Sequence, residues 1–450
     1  MHRRTFLASS AAFGALALSG FVRRAMGQGA AQVQALTAAY NESGQQLFKA
    51  FSAAPGNIVF SPYSLGTAMA MALAGARAET EREMAAALKH WLARGEIADA
   101  NAGALAILNG YGKRAEEAHC LPDMQRNGER CEHAPLANGA CPAPTRRDGE
   151  MCVMPASLPP NARLLIANAL MLTRTDAPVS SDYVALIAQK YGGEVFRNAG
   201  LNDVNGWVSR QTEGKVDKII DQLDPETAAI LLNAAYFKAT WAATFNKHAT
   251  RPETFNLSPS QQIQVPTMRK VARYAVVARD GYRAVRLPYS IKAIGMIIAV
   301  PDAVDGLAAV SASLDARQLP ELFSALRTAP IKSVSLTLPR FKTAFRTDLV
   351  PPLQQAGMHL AFDRNRADFS AMTGRPAAQG GLVIDQIAHR AVIEVDEEGT
   401  EAAAATGITF VPTSALLSPE PFRVDRPFLY YIVDDATGAI LFQGRVVDPR

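Results

Sequence analysis

Two apolar runs constrain this chain more than any other feature: LLIANALML at 164–172 and AAILLNAAYF at 228–237. Neither alternates with period two, so each reads as a strand buried on both faces, which needs a covering layer on either side of the sheet. Ahead of them, apolar residues at helical spacing (Val33, Leu36, Ala39, Tyr40, Leu47, Phe48, Phe51) predict a helix over 31–54, ended by Pro55 and Gly56. A short strand follows at 57–60, and Ser61 with Pro62 then opens a helix whose small residues over 67–76 suit close packing. Further helices are predicted at 79–91, 180–191 and 203–212. The second half is strand-rich, at 264–268, 282–287, 295–300, 333–338, 391–395, 428–433 and 439–445, the last two joined by a hairpin containing Gly438. Strands with intervening helices imply an α+β architecture with large sheets. At 450 residues and 48% hydrophobic content the chain can bury such a core.

The amino terminus reads separately. Arg3 and Arg4 precede Phe6 and Leu7, and the small and apolar run over 8–22 is shorter than the ~20 apolar residues that span a bilayer. The segment is similar to a twin-arginine export signal with a small-residue cleavage site at 25–27. Residues 1–27 are therefore expected to be a signal peptide and 28–450 one exported domain, periplasmic or extracellular; an uncleaved anchor is the alternative. Residues 112–161 break the regular patterning. They are polar, rich in Pro, Gly and Arg, and read as a surface insertion. All four cysteines, Cys120, Cys131, Cys141 and Cys152, lie there. In an exported protein such a set favours two disulfides, with three connectivities open, although the twin-arginine route carries proteins folded in a reducing cytosol and so leaves free thiols as an alternative. His119 and His133 lie beside the set, but no C-x-x-C pair is present, which argues against zinc; no metal or cofactor is expected.

The net charge of +4 is small, and the basic residues are scattered, so charge gives no case for nucleic acid or for a membrane partner of the mature chain. Neither G-x-S-x-G nor H-E-x-x-H occurs, which speaks against a hydrolase. The chain is not expected to be an enzyme.

The most specific motif is IEVDEEGTEAAAAT at 393–406. By propensity alone its alanine run would be a helix. It resembles the hinge and the start of the reactive loop of the serpin family. Further stretches fit that family: NIVFSPYSLGTAMA at 57–70, VNGWV at 204–208 with TEGK at 212–215, LNAAYFK at 232–238 with Trp241, and LPY at 287–289. So do LPRF at 338–341, ADFS at 367–370, HRA at 389–391, RPF at 426–428 and FQG at 442–444. The matches run in order over 31–450, the cysteine-bearing insertion excepted, and the chain is identified as a member of the family, of the exported bacterial kind.

The resemblance implies the serpin fold, with a large central mixed sheet, two smaller sheets, about eight or nine helices and an exposed reactive-centre loop following the hinge, over 397–422. It implies a monomeric protease inhibitor. After cleavage the loop would enter the central sheet as a new strand, carrying with it a protease still bound as a covalent acyl-enzyme. Small hinge residues then make sense: Gly399 as the pivot, and Glu401, Ala402, Ala403, Ala404, Ala405 and Thr406 as an inserting strand that meets no clash, with Thr400, Ala402, Ala404 and Thr406 on the face to be buried. The family spacing from Glu397 puts the scissile bond between Thr413 and Ser414, with Ala415 and Leu416 as alternatives. No Lys or Arg lies between Thr400 and Phe422, so the expected target is elastase-, subtilisin- or chymotrypsin-like and not trypsin-like, with cysteine proteases as a wider possibility. By the same resemblance Ser61, Ser64, Asn233 and His389 form a polar cluster under the opening strands, the shutter. Trp241, Arg340 and Glu397 mark the breach where the loop enters, with Arg340 expected to pair with Glu397. On the same fold the alternative is a non-inhibitory binding or carrier protein.

Overall fold

The computed structural model describes residues 11–116, 125–127, 130–135, 141, 146–148, 150–155, 162–173, 179–224, 227–400 and 418–450. Its central sheet has six strands: β1 (Ala162–Leu172), β2 (Glu194–Arg197), β3 (Ala229–Thr240), β4 (Phe341–Asp348), β5 (Gln386–Val395) and β6 (Gly399–Thr400). Their order is β4-β5-β6-β3-β1-β2. The sheet is mixed, with β5 parallel to β3 and β2 parallel to β1.

Both apolar runs are central strands, and period-two alternation divides each between two cores. Leu231, Ala235 and Phe237 of β3, with Leu170 and Leu172 of β1, face the main core. Ile230, Leu232 and Ala234, with Ala167 and Ala169, face the other way, against Val204, Trp207 and Val208 of the helix Leu201–Gln211. Cover on both sides is why the sequence shows no polar alternation there. On the main-core side the helix Pro62–Gly75 packs against β1 and β3 with every residue buried. Ser61 caps it, its hydroxyl accepting the Ser64 amide, and Pro62 occupies the first turn, where no amide is needed. Gly66 is required by close approach, since a Cβ there would lie 2.3 Å from the Tyr40 ring.

The two smaller sheets expected are joined into one sheet of nine strands, eight in a continuous path and Arg251–Ser258 paired off it. The cause is the strand Gln261–Arg279, whose 19 residues are long enough to pair with Arg251–Ser258, Tyr282–Pro288 and Ile331–Pro339. Ten α-helices occur among the described residues, where eight or nine were expected. The first runs over Ala11–Phe51, beginning well before the predicted 31, because no proline interrupts the chain before Pro55.

The insertion is more regular than its sequence suggested. The helix Arg94–Glu116 extends into it, and Gln125–Asn127, Arg130–His133, Met151–Pro155 and Arg146–Asp148 form an antiparallel sheet in that order. Strands of three to five residues are too short to print a period. Cys141 and Cys152 form a disulfide. Cys120 and the side chain of Cys131 lie outside the described residues. No described helix is long and apolar enough to cross a membrane.

Candidate functional site

The expected shutter residues meet where β1, β3 and β5 lie side by side. Asn168, Asn233 and His389 occupy directly opposed positions on the three strands. The Asn233 amide nitrogen donates to Asn168 Oδ1 at 2.6 Å and to Ser64 Oγ at 2.7 Å, and its oxygen accepts from His389 Nδ1 at 2.5 Å. Ser61 joins through its cap to Ser64. Phe60 meets the imidazole edge-on at 6.3 Å between ring centres. Complete burial lowers the His389 imidazole to about 3, so it is neutral, with its proton on the nitrogen that faces Asn233. Asn168 is a member that the sequence reading did not single out. Its signal was the one polar residue inside the run 164–172.

Higher in the sheet, β5 and β3 are paired from Gln386 opposite Ile230 to Val392 opposite Tyr236. Beyond that point they part, and β6 lies between them, Gly399 opposite Thr240 and Thr400 between Ala239 and Val395. The chain reaches this gap through a tight reversal after Val395. Asp396 Oδ1 accepts the amides of Glu398 at 2.8 Å and Gly399 at 3.1 Å, and the Asp396 amide donates to Gly399 O at 2.9 Å. Burial raises the Asp396 carboxyl against those two amide bonds. Gly399 has φ +154°, and a Cβ there would lie 2.0 Å from the Ala239 carbonyl oxygen, so another residue could not be seated without displacing β3. Thr400 is fully buried, and its hydroxyl lies 2.7 Å from the Tyr289 hydroxyl.

Residues 241–250 and Arg340 clasp the hinge. The Trp241 amide donates to Glu398 O at 2.9 Å and its indole to Asp396 O at 3.0 Å. The Phe245 amide donates to Glu397 O at 2.7 Å, and Lys247 pairs with the Glu398 carboxylate. Arg340 donates to Glu397 Oε1 through Nε at 2.8 Å and Nη2 at 2.5 Å, and the Thr250 hydroxyl donates to the same oxygen. Burial alone would raise the Glu397 carboxyl, but the Arg340 and Thr250 hydrogen bonds outweigh it and leave the group below its usual range. Trp241 also stacks on Tyr289 at 4.5 Å, beneath Thr400. Trp241, Arg340, Glu397, Gly399 and Thr400 therefore converge on one place. Thr250, Lys247 and Tyr289 are partners that sequence reasoning had not assigned, and nothing in the pattern around them marked the first two.

Glu401, Ala402, Ala403, Ala404, Ala405 and Thr406, together with Thr413, Ser414, Ala415 and Leu416, lie outside the described residues. What the geometry offers is mechanical: the segment Gly399–Thr400 held at the mouth of a gap between two central strands, with a buried polar cluster below it on the same two strands. Any strand continuing from Thr400 would have to break the β5–β3 ladder.

A protein-family model described as "Serpin (serine protease inhibitor)" matches residues 38–449. Iripin-2 of Ixodes ricinus is 32% identical, the match covering 91% of this chain and 93% of the relative. A serine protease inhibitor of Cyanea capillata is 31% identical, over 87% of this chain and 92% of its own length. Among solved structures, human thyroxine-binding globulin complexed with thyroxine superposes with a TM-score of 0.73 at 25% identity, covering 93% of this chain and 99% of that one. The seated hinge, the clasp around it and a family match over nearly the whole described core lead to one assignment: this chain belongs to the serpin family.

Proposed function

We propose that this chain inhibits serine-type endopeptidases as a suicide substrate. A target serine attacks the carbonyl carbon of Thr413, the peptide bond to Ser414 breaks, and the new amino terminus leaves with its proton. The carboxyl side of the cut stays tied into the strand Glu420–Arg423, while the acylated side is free to follow Thr400 between β5 and β3. About fourteen residues at ~3.3 Å each carry the acyl group ~45 Å, and the protease with it. Distortion of the protease's catalytic geometry then stalls hydrolysis of the ester. The observation that carries this reading is Thr400, already lodged between the two strands with its side chain buried.

Ala415 or Leu416 would serve as the specificity residue if the bond lies further along. The absence of Lys and Arg over 401–421 supports an elastase-, subtilisin- or chymotrypsin-like target. The twin-arginine-like amino terminus supports export of the mature chain, and the serpin resemblance supports a monomer. A carrier role is the second reading, favoured by the similarity to thyroxine-binding globulin. The test is to incubate the mature protein with elastase, subtilisin, chymotrypsin and trypsin. A complex that survives a denaturing gel, with a cut between Thr413 and Leu417, is expected with one of the first three. Cleavage by all of them without any complex would overturn suicide inhibition of these classes and favour the carrier.

A further inference from the structure

The clasp at 241–250 supplies five bonds to the hinge, from the Trp241 amide and indole, the Phe245 amide, the Lys247 ammonium and the Thr250 hydroxyl. A loop that must hold another segment in register must itself be held. Its amino-terminal end is fixed to the sheet behind, Ser290 N donating to Thr240 O and Ala242 N to Pro288 O, both at 2.9 Å. Its middle is fixed by Lys270. This residue lies on the strand Gln261–Arg279, opposite Leu336, and its ammonium donates to the Thr244 carbonyl at 2.7 Å while lying 5.9 Å from the centre of the Phe245 ring. The carbonyl of Thr244 and the amide of Phe245 belong to one peptide plane. Lys270 therefore grips one edge of the plane whose other edge donates to Glu397 O. Half-burial holds the ammonium down to about 8, the mark of a lysine committed to an interior contact instead of a solvated tip.

We propose that Lys270 is a positioning residue for the hinge: by fixing the Thr244–Phe245 peptide it orients the clasp that seats Glu397 and Thr400 at the mouth of the gap. The consequence for inhibition rests on the suicide-substrate reading, because a hinge seated in advance shortens the step that competes with ester hydrolysis. The seating itself does not rest on that reading.

Two variants separate a donor from mere bulk. Lys270→Met keeps an unbranched apolar stem and removes the charge and donors; Lys270→Arg keeps a charged donor. Hydrogen–deuterium exchange at the amides of Trp241 and Phe245, which requires no protease, should quicken about tenfold in Lys270→Met, as expected when a charged hydrogen bond behind them is lost, and stay within about twofold of wild type in Lys270→Arg. With a protease that wild type traps, Lys270→Met should raise the moles of inhibitor consumed per mole of protease, and Lys270→Arg should restore the wild-type ratio. Unchanged exchange in Lys270→Met, or equal effects of Met and Arg, would overturn the proposal. Exchange behaving as expected while wild type traps none of the panel would leave the clasp in place and count against the inhibitory reading alone.

Discussion

Arg340 binds Glu397 through two nitrogens on one carboxylate oxygen, the acid almost wholly buried and the base with 44% of its side chain still exposed. The pair ties the reversal after β5 to the residue that precedes β4. Glu397→Lys would set two cations against each other and free the hinge from Thr250 as well. The expected loss is about 2 kcal/mol, below that of a fully buried pair because Arg340 reaches solvent. Unfolding in urea measures it, and native gels should show a lower yield of monomer. A variant equal to wild type in both would make the pair incidental.

Thr400 is the deepest described residue of the hinge, bonded to Tyr289. Thr400→Arg cannot bury its guanidinium between Ala239 and Val395 without a partner. The expected outcome is a protein that proteases cleave at the same bond without forming a complex, seen on a denaturing gel. Carrier-type ligand binding would survive the same change. Tyr289→Phe should cost about 1 kcal/mol, the worth of one buried hydrogen bond.

Gly399→Ala is a test of seating alone. The added carbon falls on the Ala239 carbonyl, and φ at this residue is in the region that favours glycine. Unseating should raise exchange at the Trp241 and Phe245 amides while leaving the β5–β3 ladder below protected. Protection unchanged at both amides would show that the gap widens to accommodate the methyl group.

Acid should destabilise the protein through His389. Its imidazole is held near 3 when folded and returns to about 6.5 on unfolding, so the unfolded chain binds the extra proton as pH falls. The contribution is intact above about 6.5 and is lost as pH falls towards 3, at on the order of 1 kcal/mol per unit. Glu397, whose carboxyl is depressed, adds to acid lability in the same direction: its contribution is present above the usual carboxylate range and fades as pH falls through its folded value. His389→Gln isolates the first effect. Urea midpoints at about pH 7, 5 and 4 should fall less steeply in the variant than in wild type, and identical slopes would refute the assignment.

Loss of the Cys141–Cys152 disulfide should act locally. Paired replacement by serine removes a constraint typically worth about 2–3 kcal/mol, felt by the short sheet of the insertion. Limited proteolysis should find new cuts within 112–161, with the central sheet unaffected. Global destabilisation instead would mean that the insertion and β1 unfold together.

Much of the site was legible because its chemistry is local in the chain. Gly399 and the residues around it stand in one continuous stretch, and Ser61 with Pro62 writes its own helix start. Asn168 was visible only as a polar letter in an apolar run; it took three aligned strands to show that it shares a cluster with Asn233 and His389. Lys247, Thr250 and Lys270 were not legible, because each is an ordinary polar residue until the fold brings it to the hinge or to the loop that holds it.

The sequence by itself determined that two strands would be buried on both faces, that the architecture would be α+β, and that a hinge with a glycine pivot precedes a loop without basic residues. The first two follow from period, propensity and composition, which act over a few neighbours; the hinge was an expectation from the resemblance of its motif to the serpin family. The tertiary structure alone decided that the smaller sheets fuse along Gln261–Arg279, that the insertion folds into a sheet of its own, and where the hinge rests. Strand order and depth of insertion depend on contacts between residues far apart in the chain, such as Arg340 with Glu397 and Tyr289 with Thr400, and no local pattern encodes which of them meet.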